Sequence, residues 1–299
     1  MKNRGVIMIS ILAFAALAAA FPSAESGAGR VADYEVHEWG VMAGCDGGDE
    51  YLLTSRPLRA VVVKEPVLYF HSRDRQPFSL KVTFARGFPT ETYPAGEKRD
   101  NTVQWKRVSF AEDGAGATKG LWERTEPVPL DEILGTLGDV DADEIFCNGV
   151  RSRFLFYEGE MPFANNIACT FAPGGREAVV ANNGEYPVLD IYVICPAAGA
   201  SPFRDDHLLA YLPQLKAGQK ARVGLKPVTG RIDFARPLRE LGFTEKESKS
   251  FESLWHDSFM EYGRLLYRLP GEECARSIEL EFEPRPKRIA RALFVLVKR

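Results

Sequence analysis

Histidine is scarce in this chain of 299 residues. His37, His71, His207 and His256 are the whole supply, and no two stand at the spacing by which one segment presents a pair of imidazoles to a metal. A zincin helix needs a second histidine four residues after the first, and Val41 occupies that place after His37. An excess of either charge is also lacking. With 38 Lys+Arg against 41 Asp+Glu the formal charge is −3, so there is no electrostatic footprint for nucleic acid. No nucleophile elbow surrounds any serine, Ser258 included. In residues 114–120, "GAGATKG", the lysine precedes the last glycine and no Ser or Thr follows, which excludes a phosphate loop. Residues 139–144, "DVDADE", alternate acids like the first half of a calcium loop, but Glu144 stands where a glycine is required and Val150 where the last acidic ligand is required. No cofactor and no metal is therefore expected.

What is present begins with a compartment signal. Lys2 and Arg4 precede an apolar run from Val6 to Phe21, and the small residues Ala20 and Ala24 follow, the order of a secretory signal peptide over residues 1–24. Cleavage after Ala20, cleavage after Ala24 and retention as an anchor all fit the segment. The chain beyond it carries no expected membrane span and is placed as secreted or periplasmic. Five cysteines, Cys45, Cys147, Cys169, Cys195 and Cys274, make an odd set that in an oxidising compartment allows two disulfides. Cys169 with Cys195 is the favoured pair, because both flank one predicted hairpin; small buried side chains without a bridge are the alternative.

The pattern beyond residue 31 is mainly β and antiparallel. In residues 79–84, "SLKVTF", Leu80, Val82 and Phe84 share one face and Lys81 and Thr83 the other, as in a half-buried strand. Asn183-Gly184 between two β-branched runs predicts a tight hairpin, since both residues tolerate the positive φ of a type I′ turn. Two sandwich-like lobes are expected, residues 31–160 and 161–299, the second with immunoglobulin-like hairpins. One amphipathic helix near the C-terminus is clear: Thr244 and Glu247 form a capping box, and Phe251, Leu254, Trp255, Phe259 and Tyr262 then recur at helical spacing. The basic stretch 285–291, "RPKRIAR", reads as a solvated strand edge.

The candidate site residues are carboxylates and tryptophans. If residues 34–42, "YEVHEWGVM", form a strand, His37 joins Trp39 on one face and Glu38 joins Val36 on the other, so His37 and Glu38 cannot act as a dyad. Glu38 then becomes a buried carboxylate that needs a partner or serves as a functional acid. Asp257 and Glu261, four apart on the helix, are the other candidate acids. Trp39 and Trp255 are candidate stacking surfaces for a ligand, with core packing as the competing reading.

The segments "HEWG", "EPVLYFHS", "TETYP", "RFLFYEG" and "WHDSFMEYGRLLYRLP" span the chain in order. In them the chain resembles an uncharacterised family of secreted bacterial proteins, a resemblance that implies one evolutionary unit and brings no activity. The expected function is a non-catalytic envelope or extracellular protein that binds a polymer or protein partner. The alternative is a carboxylate-dependent hydrolase of envelope polysaccharide or peptide, with Glu38 and Glu261 as acid and base.

Overall fold

A computed structural model of the protein describes residues 30–45, 52–53, 59–111, 130–196 and 207–298. The signal segment, its cleavage points and the "GAGATKG" stretch lie outside the described residues. The fold is mainly β, with antiparallel sheets and few helices.

A nine-stranded sheet forms the centre, and its order shows how distant parts of the chain meet. The strands run Lys226–Pro227, His207–Leu215, Val188–Pro196, Gly263–Arg268, Arg285–Lys298, Val31–Cys45, Arg59–Ser72, Phe154–Glu160 and Phe88–Tyr93. All neighbours are antiparallel except the first strand, Val31–Cys45, and the last, Arg285–Lys298, which lie side by side in parallel. Strands from both sides of residue 160 therefore share one sheet, and the expected division into lobes 31–160 and 161–299 does not divide it. Hydrophobic pattern marks strands; it does not say which strand pairs with which, and here the two ends of the described chain supply the middle of the sheet.

Each face of this sheet is covered, which is why its central strands are apolar on both sides. One face carries Tyr34, Val36, Met42, Leu68 and Phe70. It packs against a four-stranded sheet (Leu52–Leu53, Ile167–Phe171, Glu177–Asn182 and Lys220–Gly224) and a six-stranded one that includes Phe78–Phe84, Thr102–Phe110 and Ile278–Glu283. In Phe78–Phe84 the alternation reads as predicted, with Leu80, Val82 and Phe84 buried. The opposite face carries Trp39, Val41, Val67, Tyr69, Ala292 and Phe294 and packs against helices. The amphipathic helix Glu245–Tyr262 lies there through Phe251, Trp255 and Phe259, beside the short helix Leu130–Gly138. Gly40 sits in the first strand where the chains approach closely: a Cβ there would meet the Pro66 Cα at 2.9 Å, beside an irregularity in the register between Trp39 and Val41.

Three local expectations are corrected. Asn183-Gly184 does not close a hairpin, because Glu177–Asn182 belongs to the four-stranded sheet and Val188–Pro196 to the nine-stranded one. The turn instead carries the chain between layers, fixed by Asn182, whose Oδ1 accepts the Gly184 amide at 2.9 Å and whose Nδ2 donates to the Leu215 carbonyl at 3.0 Å. The hairpin that does form joins Ile167–Phe171 to Glu177–Asn182 through Gly174 and Gly175, both at positive φ. With the Asn-Gly hairpin gone, the immunoglobulin-like expectation loses the element it rested on. The predicted Cys169–Cys195 bridge is also not formed, and no disulfide joins the described cysteines. Burial pushes the Cys169 thiol up to about 12 and those of Cys147 and Cys274 up to about 11, so these thiols behave as small apolar side chains. Finally, "RPKRIAR" is solvated as expected at Arg285, Lys287 and Arg288, but it is no edge: it is the first half of a central strand, and Arg291 within it is turned into the core.

Candidate functional site

The first strand sends its successive side chains to opposite layers, and each layer builds a different charged cluster. On the sandwich face stands Glu38, fully buried. In the parallel pairing its direct neighbour is Arg291, whose Nε donates to Glu38 Oε2 while Nη1 donates to the Ile278 carbonyl at 2.8 Å. Tyr157 Oη donates to Glu38 Oε1 at 2.6 Å. Burial works against the charge on Arg291, but the adjacent Glu38 carboxylate outweighs it and raises the arginine's pKa. Burial together with that same carboxylate holds the Tyr157 phenol well above its ordinary value. Glu38 thus has a buried arginine and a phenol on its two oxygens, the arrangement of a structural ion pair.

On the helix face the first strand presents His37 and the adjacent antiparallel strand presents His71. Glu35 pairs with His71 and His37 with Tyr69, so the two histidines are diagonal neighbours on one face, their ring centroids 4.6 Å apart. The third member comes from the first turn of the helix Glu245–Tyr262. Glu247, fully buried, reaches His37 Nδ1 with Oε2 at 2.9 Å and His71 Nε2 with Oε1 at 2.9 Å. The predicted capping box sets its position: the Thr244 amide donates to Glu247 Oε2 at 2.8 Å and the Glu247 amide to Thr244 Oγ1 at 3.2 Å. The Phe243 ring lies 4.9 Å from that of His37 and closes the inner side. His37 is 6% exposed at its side chain and His71 26%, so solvent reaches the cluster from the His71 side.

Two acids of "DVDADE", Asp141 and Asp143, anchor the residues that build this cluster. Asp141 Oδ1 accepts from Thr244 Oγ1 at 2.6 Å, and Asp143 Oδ2 accepts the Ser72 amide at 2.7 Å, tying the loop to the helix start and to the His71 strand. Burial disfavours a charged His71, yet the hydrogen bond and charge of Glu247, with Asp143 and Asp141 behind it, prevail and raise its pKa. Burial likewise disfavours the Glu247 anion, but its bonds to His37 and His71, the His37 charge and the Thr244 amide lower its pKa to about 2.

These opposed shifts predict a stability window for the metal-free protein. The depressed Glu247 contributes fully above its ordinary value of 4.5 and loses its contribution as pH falls toward about 2. The raised His71 contributes fully below its ordinary value of 6.5 and loses its contribution as pH rises through the folded value. Both contributions are complete only between pH 4.5 and 6.5. Urea unfolding in the presence of chelator is expected to show the largest difference between wild type and Glu247→Gln in that interval. A difference independent of pH would refute the network's electrostatic role.

The remaining candidates do not converge. Asp257 is 95% exposed, with its Oδ1 3.0 Å from His256 Nδ1, and Glu261 is exposed on the same helix. Glu38 faces the opposite side of the nine-stranded sheet, so Glu38 and Glu261 cannot flank one substrate as acid and base. Trp39 and Trp255 lie in the core, 0% and 5% exposed, Trp39 edge-on to Phe251 and Trp255 stacked on Phe259. Neither offers a face to a ligand, because the helix that buries one is anchored by the other. Sequence reasoning missed the His37, His71 and Glu247 cluster; its one legible signal was Glu247 in the capping box, which said where the carboxylate begins but not what it meets. These three side chains can each offer one ligand atom, all within 4.8 Å of one another.

No protein-family model and no curated protein matches the chain. Among solved structures it is similar to the yeast delta-COP-I mu-homology domain complexed with a Dsl1 WxWxV peptide, at 8% identity and a TM-score of 0.32, over 90% of this chain and 99% of that one. The yeast delta-COP-I mu-homology domain without the peptide is similar at 8% identity and a TM-score of 0.33, over 90% of this chain and 97% of that one. A likeness this loose carries no property from those domains to this chain.

Proposed function

We propose that this is a secreted or periplasmic protein that binds an envelope polymer or protein without turning it over. The compartment rests on the basic, apolar and small-residue order of residues 1–24. No helix among the described residues is long and apolar enough to cross a membrane. The observation that carries the non-catalytic reading is the separation of the acids. Glu38 is committed to Arg291 and Tyr157 inside the sandwich, while Asp257 and Glu261 stand in solvent beyond the opposite face. A glycosidase working through two carboxyl groups needs them about 5 to 9.5 Å apart across an open cleft, and an aspartic-protease pair needs them closer still.

The test is incubation of the full chain with purified peptidoglycan and envelope polysaccharide. The expected result is co-sedimentation with no release of soluble sugar or peptide. Any release of product would overturn the non-catalytic reading, its loss in Asp257→Asn or Glu261→Gln assigning the activity to those carboxylates, and absence of co-sedimentation with every envelope fraction would overturn the binding role.

A further inference from the structure

We propose that His37, His71 and Glu247 form a binding site for one divalent transition metal of the zinc class. The inference stands apart from the envelope-binding reading, since it rests only on how three side chains meet.

The donor set is the first argument. Two imidazoles and one carboxylate are the ligands of open three-ligand zinc sites, and imidazole selects zinc, cobalt, nickel, copper or iron over calcium and magnesium, which take oxygen ligands. Geometry is the second. Bonds of about 2.0 to 2.1 Å in a tetrahedral site place ligand atoms about 3.3 Å apart. Here the Glu247 oxygens lie 2.9 Å from His37 Nδ1 and 2.9 Å from His71 Nε2, and all three ligand atoms fall within 4.8 Å. Coordination would lengthen the two 2.9 Å contacts toward about 3.3 Å and draw the remaining ligand atoms in from within 4.8 Å, with the protons now shared by nitrogen and oxygen leaving to solvent.

Rigidity is the third argument. His37 and His71 are held by adjacent strands in the middle of the nine-stranded sheet. The Glu247 carboxylate is oriented by the Thr244 amide, and Thr244 in turn by Asp141, a shell of supporting bonds of the kind that aligns metal ligands. The partial exposure of His71 gives the ion an entry path and leaves a coordination position for water or for a donor from a partner. The nearby Asp141 and Asp143 add negative charge on that side. Among the neighbouring cations, Arg288 is drawn toward Glu35 and Lys246 toward Asp139.

The experiment is titration of the untagged, chelator-stripped full chain with Co2+, read by visible absorption. The expected result is one equivalent of Co2+ with the intense d–d bands of a four-coordinate site, displaced by Zn2+ and not by Ca2+ or Mg2+. His71→Gln and His37→Gln are expected to weaken binding by more than about 100-fold, the upper end of what losing a supporting bond costs. Should a variant fail to fold, the wild type still decides: in its NMR spectrum the ring signals of His37 and His71 are expected to shift with Zn2+ while those of His207 and His256 do not. No Co2+ uptake, uptake unchanged in His71→Gln, or shifts confined to His207 and His256 would each overturn the proposal.

Discussion

Replacing Arg291 by methionine is expected to lower the stability of the protein by about 3–5 kcal/mol, the cost of leaving a buried charge without its partner. Glu38 is fully buried, and Arg291 is 10% exposed at its side chain, so solvent cannot take over the arginine's role. Among the described residues Tyr157 then faces the carboxylate, and a phenol hydrogen bond does not replace a guanidinium. A loss of that size is a large share of the roughly 5–15 kcal/mol that holds an ordinary domain folded. The double variant Glu38→Leu with Arg291→Met is expected to recover part of the loss, because it removes both charges from the low-dielectric layer while the Tyr157 hydroxyl and the Ile278 carbonyl lose the partners they had. Urea unfolding of the wild type, the two single variants and the double variant completes the cycle. A loss below about 1 kcal/mol for Arg291→Met would put the pair in the class of exposed ion pairs and refute its buried role.

Trp39→Ala is the second large effect, expected to cost about 3–5 kcal/mol through the cavity it leaves. The Trp39 side chain is fully buried, with its ring 5.4 Å from that of Phe251 and edge-on to it. Truncation therefore removes the contact between the centre of the sheet and the middle of the helix Glu245–Tyr262. Because that helix also carries Glu247, its loosening should show as loss of Zn2+ affinity alongside the fall in urea midpoint. The reading of Trp39 as a stacking surface makes the opposite forecast, in which stability is retained and only polymer binding is lost. The two outcomes separate in one pair of measurements, an unfolding curve and a co-sedimentation assay.

Much of the local structure was legible in the sequence for a simple reason: it depends on neighbours within a few residues. Alternation in residues 79–84 gave the buried face of Phe78–Phe84, and alternation around Trp39 placed His37 and Trp39 on one side and Glu38 on the other. The capping box and apolar stripe located the helix Glu245–Tyr262, and the box is formed as its spacing requires. Mainly β architecture followed from the recurrence of short β-type runs. A buried Glu38 in need of a partner was also foreseeable, although not that the partner would be Arg291.

Pairing across the chain was decided only by the tertiary structure. Nothing local to Val31–Cys45 or Arg285–Lys298 says that they lie side by side in parallel, yet that register turns Arg291 from an apparent surface charge into the partner of Glu38. Asn183-Gly184 determined that the chain turns and not that it changes sheet, since turn chemistry constrains φ and ψ but not the neighbour of the next strand. The histidine and glutamate cluster is the clearest case. Its members stand at positions 37, 71 and 247, too far apart for any spacing rule, and they meet because a strand register sets two of them diagonally and a helix cap aims the third between them. By itself the sequence determined strands such as Phe78–Phe84, the helix Glu245–Tyr262 and the faces of clearly alternating side chains, because those follow from backbone periodicity; which faces meet, and so which charges become partners, was decided by the packing of layers.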